Sequence, residues 1–247
     1  MALIEEMTQQ GNFLFKYRGQ LPLILVACGL LLFVVEHNSN PPAAILPFTH
    51  WLPYLTIGLL GLFIRIIVVG FTPAGTSGRN TAQQVANSLN TKGIYSVVRH
   101  PLYVGNFFMW LSVAMLPGNY WFVLCFILAY WLYYERIMFA EEAFLRQKYG
   151  QAYTDWSAQT PAFIPNFTKW EPAKLNFSLK NVLKREINGL WILILLFVFF
   201  RILHIYLVEN KFYLDPNWLI IFASTTLAFA VIKLLQKTTN LLHTSGR

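Results

Sequence analysis

Charge is what this chain has least of. Only 12% of its 247 residues are Asp, Glu, Lys or Arg, against about 25% in a typical soluble domain. So few charged groups cannot cover a 28.5 kDa protein in water, which argues against an ordinary soluble enzyme. A mean hydropathy of +0.47 points instead to a surface largely in contact with lipid. Cysteine is equally scarce. Cys28 and Cys125 both lie in apolar runs and offer neither a disulfide framework nor a metal-ligand spacing, so no metal is expected. The first ten residues, MALIEEMTQQ, are acidic and lack the basic n-region of a cleavable signal peptide, so none is expected.

What the chain does contain is six apolar runs, at about 21–35, 51–71, 103–116, 120–134, 189–208 and 218–235. Each is bounded by polar, Pro or Gly residues. They predict an all-α fold, a polytopic membrane bundle of about six transmembrane helices in one domain spanning 1–247. The first, third and fourth runs are short against the roughly 20 residues that cross a hydrocarbon core. Amphipathic flanks such as 13–17, or a smaller tilt, make up the difference.

The chain holds 19 basic and 11 acidic residues, a net charge of +8, and the distribution explains the sum. Lys16 and Arg18 precede the first run, Arg79, Lys92 and Arg99 lie between the second and third, and eight basic residues fall between 136 and 185. The loop 36–50 and the turn Pro117-Gly118-Asn119 contain none, and 206–217 has only Lys211. This positive-inside pattern predicts both termini and the two large polar loops in the cytoplasm. It accounts for the charge without nucleic acid, and no nucleic-acid module is present. The bilayer is the expected partner; the spacing does not speak to oligomeric state. Trp51, Trp121, Trp218, Tyr120 and Tyr206 fall near run ends, as aromatic belts do. Arg65 and Arg201 lie inside runs. For Arg201 the favoured reading is pairing or snorkelling, whereas Arg65 stays open between that and a functional role.

Chemistry-bearing residues gather between 70 and 165, the expected catalytic core, with 186–247 as a two-helix extension. The Pro117-Gly118-Asn119 turn sets the third and fourth runs antiparallel. His100 and Arg136 each lie 18 residues from Gly118, so they reach the cytoplasmic face at one height. Glu141 and Glu142 follow about 8 Å further along a continuous helix. Spacing therefore brings Arg99, His100, Arg136 and the glutamates toward one site.

The series Arg99-His100-Pro101-Leu102-Tyr103-Val104-Gly105, a hydrophobic hairpin, Glu141-Glu142, Tyr149-Gly150, Tyr153 and Pro165 resembles the isoprenylcysteine carboxyl methyltransferase and phospholipid methyltransferase superfamily. That resemblance covers about 70–165. It implies an integral-membrane enzyme that takes S-adenosyl-L-methionine at the cytosolic face and methylates lipid-borne groups. It also implies a cofactor pocket built from Arg99, His100, Pro101, Tyr103, Gly105, Glu141 and Glu142. The upstream GTSGRNT at 75–81, containing Arg79, and the Gly93-Ile94-Tyr95 step are similar to a bacterial branch that methylates lipid A phosphate. The chain departs from many relatives in reading Thr160-Pro161-Ala162, with no basic residue after the proline.

Physical chemistry supports the same residues. Pro101 biases His100 away from helical geometry, setting it at a helix mouth whose free N–H groups suit a carboxylate. Gly105 admits close approach. A carboxylate at Glu141 or Glu142 suits an ammonium or ribose hydroxyls, and aromatic faces at Tyr103 or Tyr149 suit a sulfonium. Neighbours on a helix point about 100° apart, so one glutamate is expected to face the pocket. Plainer readings stand beside these. Glu142 and Arg146 form a stabilising i,i+4 pair, and Tyr149 and Tyr153 serve equally as interfacial anchors.

Arg99, Arg136 and Arg79, the candidate catalytic residues, favour an anionic phosphate or carboxylate acceptor on an amphiphilic lipid, which needs no general base. Two other classes remain open. A membrane NAD(P)H-dependent reductase of the sterol-reductase type shares the RHPxYxG and KYG pattern but carries Asp-Glu and then Cys where this chain has Glu141-Glu142. A non-enzymatic membrane scaffold would bind neither cofactor.

Overall fold

The computed structural model describes residues 2–42, 44–73, 84, 86–244 and 246. The described residues form eight α-helices: α1 (Leu3–Tyr17), α2 (Leu21–Ser39), α3 (Phe48–Phe71), α4 (Pro101–Ala114), α5 (Tyr120–Tyr149), α6 (Gln151–Gln159), α7 (Leu179–Glu209) and α8 (Pro216–Thr238). The only sheet-like feature among them is an isolated bridge, Gly93 to Glu171. Helices are what lipid permits, because each satisfies its own backbone N–H and C=O groups.

All six apolar runs are helical. Helices α2, α3, α5, α7 and α8 are long and apolar enough to cross a membrane. Helix α4, the sixth, has only 14 residues. The fourth run does not stop at Tyr134: α5 continues to Tyr149, and at 30 residues spans about 45 Å, well past a hydrocarbon core. Its charged last four turns carry the Glu141-Glu142 pair. The flank ahead of the first run is not a continuation of it, for α1 is a separate amphipathic helix, ended by a turn at 18–20 and laid against α5.

Local signals fix the helix starts. Pro101 and Pro216 occupy first-turn positions in α4 and α8, where their missing N–H costs nothing. The Asn119 side chain accepts from the Phe122 N–H at 2.9 Å and caps α5, while Ser178 caps α7 through the Asn181 N–H.

Helices α3 and α7 form the centre. Trp51, Leu55, Leu193, Phe197, Phe200 and Trp218 make one core. Phe15, Ala114, Phe126, Tyr130, Tyr134 and Ile137 make a second between α1, α4 and α5. Helices α2 and α8 lie outside, with only 11% and 6% of their spans buried, so they turn apolar faces to lipid. At the end away from the catalytic motifs, Arg201 is 4% exposed and its Nε donates to Asp215 Oδ2 at 2.7 Å. Its Nη1 donates to the Leu46 carbonyl. Beside it the ring nitrogens of His37 and His204 lie 2.7 Å apart. Arg201 is thus a paired, structural charge.

Candidate active site

The opposite end of the bundle holds a cavity of about 610 Å³, in the range of small-molecule sites. Its walls come from α1, α3, α4, α5 and α7, with residues 84 and 86–100 and α6 closing the side. Two backbone stretches far apart in sequence frame the mouth of α4. The Arg99 N–H donates to the Pro161 carbonyl at 2.9 Å, the His100 N–H to Ala162 at 3.1 Å and the Asn166 N–H to Val97 at 2.9 Å. Thr160-Pro161-Ala162 therefore contributes carbonyls that dock the Arg99-His100 backbone, and Thr160 also accepts from Arg99 Nη1 at 2.7 Å.

His100 is the non-helical residue capping α4, as the following proline demands (φ −119°, ψ 58°). Its ring sits between the two glutamates. Nε2 lies 2.9 Å from Glu142 Oε1 and Nδ1 lies 3.5 Å from Glu141 Oε2. Burial works to lower the His100 pKa, but the hydrogen bonds and charges of Glu141 and Glu142 outweigh it and hold the value above the usual 6.5. The two carboxylates thus favour the protonated form of His100. Burial, followed by the Glu141 charge, pushes the Tyr95 phenol well up, so that wall residue stays protonated.

The glutamates differ in what remains of them. Glu142 Oε1 accepts from Arg99 Nε and from His100, and Oε2 from Arg99 Nη2 at 3.3 Å. Glu142 thus accepts three hydrogen bonds from Arg99 and His100 and stands behind the wall. Glu141 lines the cavity; its Oε1 accepts from the Tyr103 hydroxyl at 2.6 Å and its Oε2 faces His100. A carboxylate oxygen accepts about two hydrogen bonds, so each Glu141 oxygen keeps capacity for a ligand. The rings of Tyr103 and Tyr134, with centroids 4.7 Å apart, extend the same wall.

Of the residues singled out by sequence, Arg99, His100, Pro101, Tyr103 and Glu141 line the cavity. Gly105 does not. A Cβ there would fall 2.6 Å from Arg65 Cγ and 2.8 Å from the Gly61 carbonyl oxygen, so Gly105 makes room for the Arg65 side chain to cross α4. Arg136 turns toward α1, where Nη1 pairs with Glu135 at 2.9 Å and Nε donates to Gln10. The Tyr149 hydroxyl donates to the Ala86 carbonyl, outside the wall. Arg79, like all of 75–81, lies outside the described residues. Sequence reasoning missed Arg18, Asn106, Tyr134, Arg185 and Glu186 as wall residues. Glu186 had a signal, as an acid beside the start of an apolar run; Arg18 and Arg185 read only as topology charges.

The phospholipid methyltransferase family matches residues 48–152, which include all of α3, α4 and α5. That match covers less than half of the chain and makes residues 48–152 similar to the phospholipid methyltransferase family. Similar proteins include a protein-S-isoprenylcysteine O-methyltransferase of Schizosaccharomyces pombe, 38% identical over 36% of this chain and 40% of that protein. Another, of Tribolium castaneum, is 30% identical over 47% of this chain and 42% of its own length. The cobalt-zinc-cadmium resistance protein CzcN of Cupriavidus metallidurans is 27% identical over 64% of this chain and 68% of its own. The chain thus matches well under two thirds of the isoprenylcysteine methyltransferases named. No solved structure matches. Helices α1 and α7, which supply Phe15, Arg18, Arg185 and Glu186 to the cavity, lie outside the matched superfamily segment.

Proposed function

We propose that the protein is an S-adenosyl-L-methionine-dependent methyltransferase acting on an anionic phosphate or carboxylate of a lipid or lipidated acceptor, with its active site at the cytoplasmic face. The observation that carries this reading is Glu141: a carboxylate with spare acceptor capacity, fixed by Tyr103 and His100, on a wall of aromatic faces. That donor set fits a cofactor bearing an ammonium, hydroxyls and a sulfonium. When bound, S-adenosyl-L-methionine supplies a methyl group whose bonding electrons stay on sulfur as the acceptor oxygen takes the methyl, a transfer in which an already anionic oxygen loses no proton.

The chain's own residues do the rest. Arg99 and Glu142 hold His100, and His100 with Tyr103 holds Glu141, so the cofactor-facing carboxylate is oriented before anything binds. With His100 protonated, Arg99, His100, Glu141 and Glu142 together carry balanced charge, which lets the set persist in a closed site. Burial of the surrounding aromatics excludes water from the reacting oxygen. The basic residues cluster at this end of the bundle, which supports the cytoplasmic assignment.

Calorimetric titration of the purified protein in neutral detergent with S-adenosylhomocysteine tests the reading. Binding is expected in the wild type and its loss in Glu141→Gln and His100→Ala. Binding of NADPH in place of S-adenosylhomocysteine overturns it in favour of a reductase, and binding of neither in favour of a scaffold.

A further inference from the structure

Arg65 stands inside the 24-residue apolar helix α3 and is held by a carboxylate 121 residues away. Its Nε and Nη2 donate to Glu186 Oε2 and Oε1 at 2.7 and 2.9 Å, and its Nη1 donates to Asn106 Oδ1. Glu186 is only 4% exposed, and all three residues line the cavity. A buried ion pair is weak support for a fold, because apolar residues of the same volume often do as well. A charge within a membrane span needs another reason.

The donor count supplies one. A guanidinium has five N–H groups. Three are taken by Glu186 and Asn106, and one on each terminal nitrogen has no partner among the described residues. Those two donors belong to a planar group on a cavity wall that carries four arginines, Arg18, Arg65, Arg99 and Arg185, against two glutamates. Planar paired donors suit an oxyanion better than any lysine could. Asn106 lies one turn along α4 from Tyr103, so this group sits about 4.5 Å deeper than the Tyr103–Glu141 contact. The space is reserved: the bare Gly105 backbone is what lets the Arg65 stem pass.

We propose that Arg65, oriented by Glu186 and Asn106, is the seat for the anionic headgroup of the acceptor amphiphile and selects anionic over neutral acceptors. This rests on the methyltransferase reading of the same cavity. It also gives α7, outside the superfamily segment, a part in acceptor choice: Glu186 is a positioning residue that aims Arg65.

The test is calorimetric titration of the full chain in neutral maltoside detergent with hexadecyl phosphate, hexadecanol, inorganic phosphate and S-adenosylhomocysteine. The variants are Arg65→Lys, which keeps the charge but loses the planar donors, and the double variant R65Q/E186Q, which removes the pair without leaving a lone buried charge. Wild type is expected to bind hexadecyl phosphate at least about ten-fold more tightly than hexadecanol or inorganic phosphate. Both variants are expected to lose that preference while binding S-adenosylhomocysteine within about two-fold of wild type. Equal binding of hexadecanol overturns the proposal, as does retention of hexadecyl phosphate binding by both variants. Inorganic phosphate binding as tightly as hexadecyl phosphate makes the seat one for free phosphate and overturns the lipid assignment. Loss of both ligands in both variants shows that the pair holds the fold and overturns it too. Failure of the wild type to bind S-adenosylhomocysteine sinks the methyltransferase reading instead, and the alkyl phosphate arm still decides the seat.

Discussion

His100 Nε2 and Glu142 Oε1 lie 2.9 Å apart, and the same carboxylate oxygen accepts from Arg99 Nε at 2.9 Å. One carboxylate thus holds both basic side chains of the Arg99-His100-Pro101 motif, and its neighbour Glu141 is left to face the cavity.

The raised pKa of His100 makes stability depend on pH in one direction. A group whose folded pKa exceeds its unfolded value of about 6.5 contributes fully below that value and loses its contribution as pH rises through the folded pKa. Thermal midpoints of wild type and His100→Gln, compared from pH 6 to pH 9 in detergent, are expected to converge as pH rises. A gap that widens toward alkaline pH contradicts the imidazolium.

Glu141→Gln and Glu142→Gln separate binding from stability. Neutralising Glu142 strips Arg99 and His100 of their shared partner and is expected to cost about 3 kcal/mol of stability. Neutralising Glu141 leaves that clamp intact and abolishes S-adenosylhomocysteine binding at nearly unchanged midpoint. Calorimetry and thermal unfolding of the two variants check this, and equivalent behaviour of the pair refutes it.

Helix α1 is seated on α5 by Gly11, where a Cβ would fall 2.1 Å from the Arg136 carbonyl oxygen and 2.7 Å from Ala140 Cβ. Gly11→Val must push α1 away, at a cost of about 1–3 kcal/mol. Because Phe15 and Arg18 leave the wall with it, S-adenosylhomocysteine is expected to bind more weakly. Unchanged affinity in this variant, measured by titration, removes α1 from the site.

The Arg201–Asp215 pair provides the control at the far end. Asp215→Ala leaves a nearly buried guanidinium without its carboxylate and is expected to cost about 3–5 kcal/mol, with cofactor affinity unchanged at temperatures where the protein stays folded. Thermal unfolding and titration read the two effects separately.

Much of this was legible in the sequence, for physical reasons that also set the limit. Six apolar runs became six helices because lipid leaves the backbone no alternative. The 18-residue spacing about Gly118 and the proline after His100 put Arg99, His100, Tyr103 and Glu141 on one wall, since turn and helix geometry are local. Arg136 shares that height but not that face: helical phase carries it toward Gln10 on α1. Glu141 and Glu142 both reach His100, and their division of labour emerged only from which of them faces the cavity. Arg65 and Glu186 meet through the packing of α3 on α7, a contact that no periodicity in either helix encodes.

The 14 residues of α4 rise about 21 Å, some 9 Å less than a hydrocarbon core, while its far end is level with the start of α5 at the hairpin turn. The mouth of α4 at His100 therefore lies well short of the far end of the 30-residue α5. On the proposed reading, an acceptor with a sixteen-carbon chain need not be drawn into water, a step that would cost about 0.8 kcal/mol for each methylene exposed. Such an acceptor would reach the cavity by lateral diffusion within the leaflet, and turnover is then expected to respond to the surface density of acceptor in the bilayer and not to its concentration in the aqueous phase.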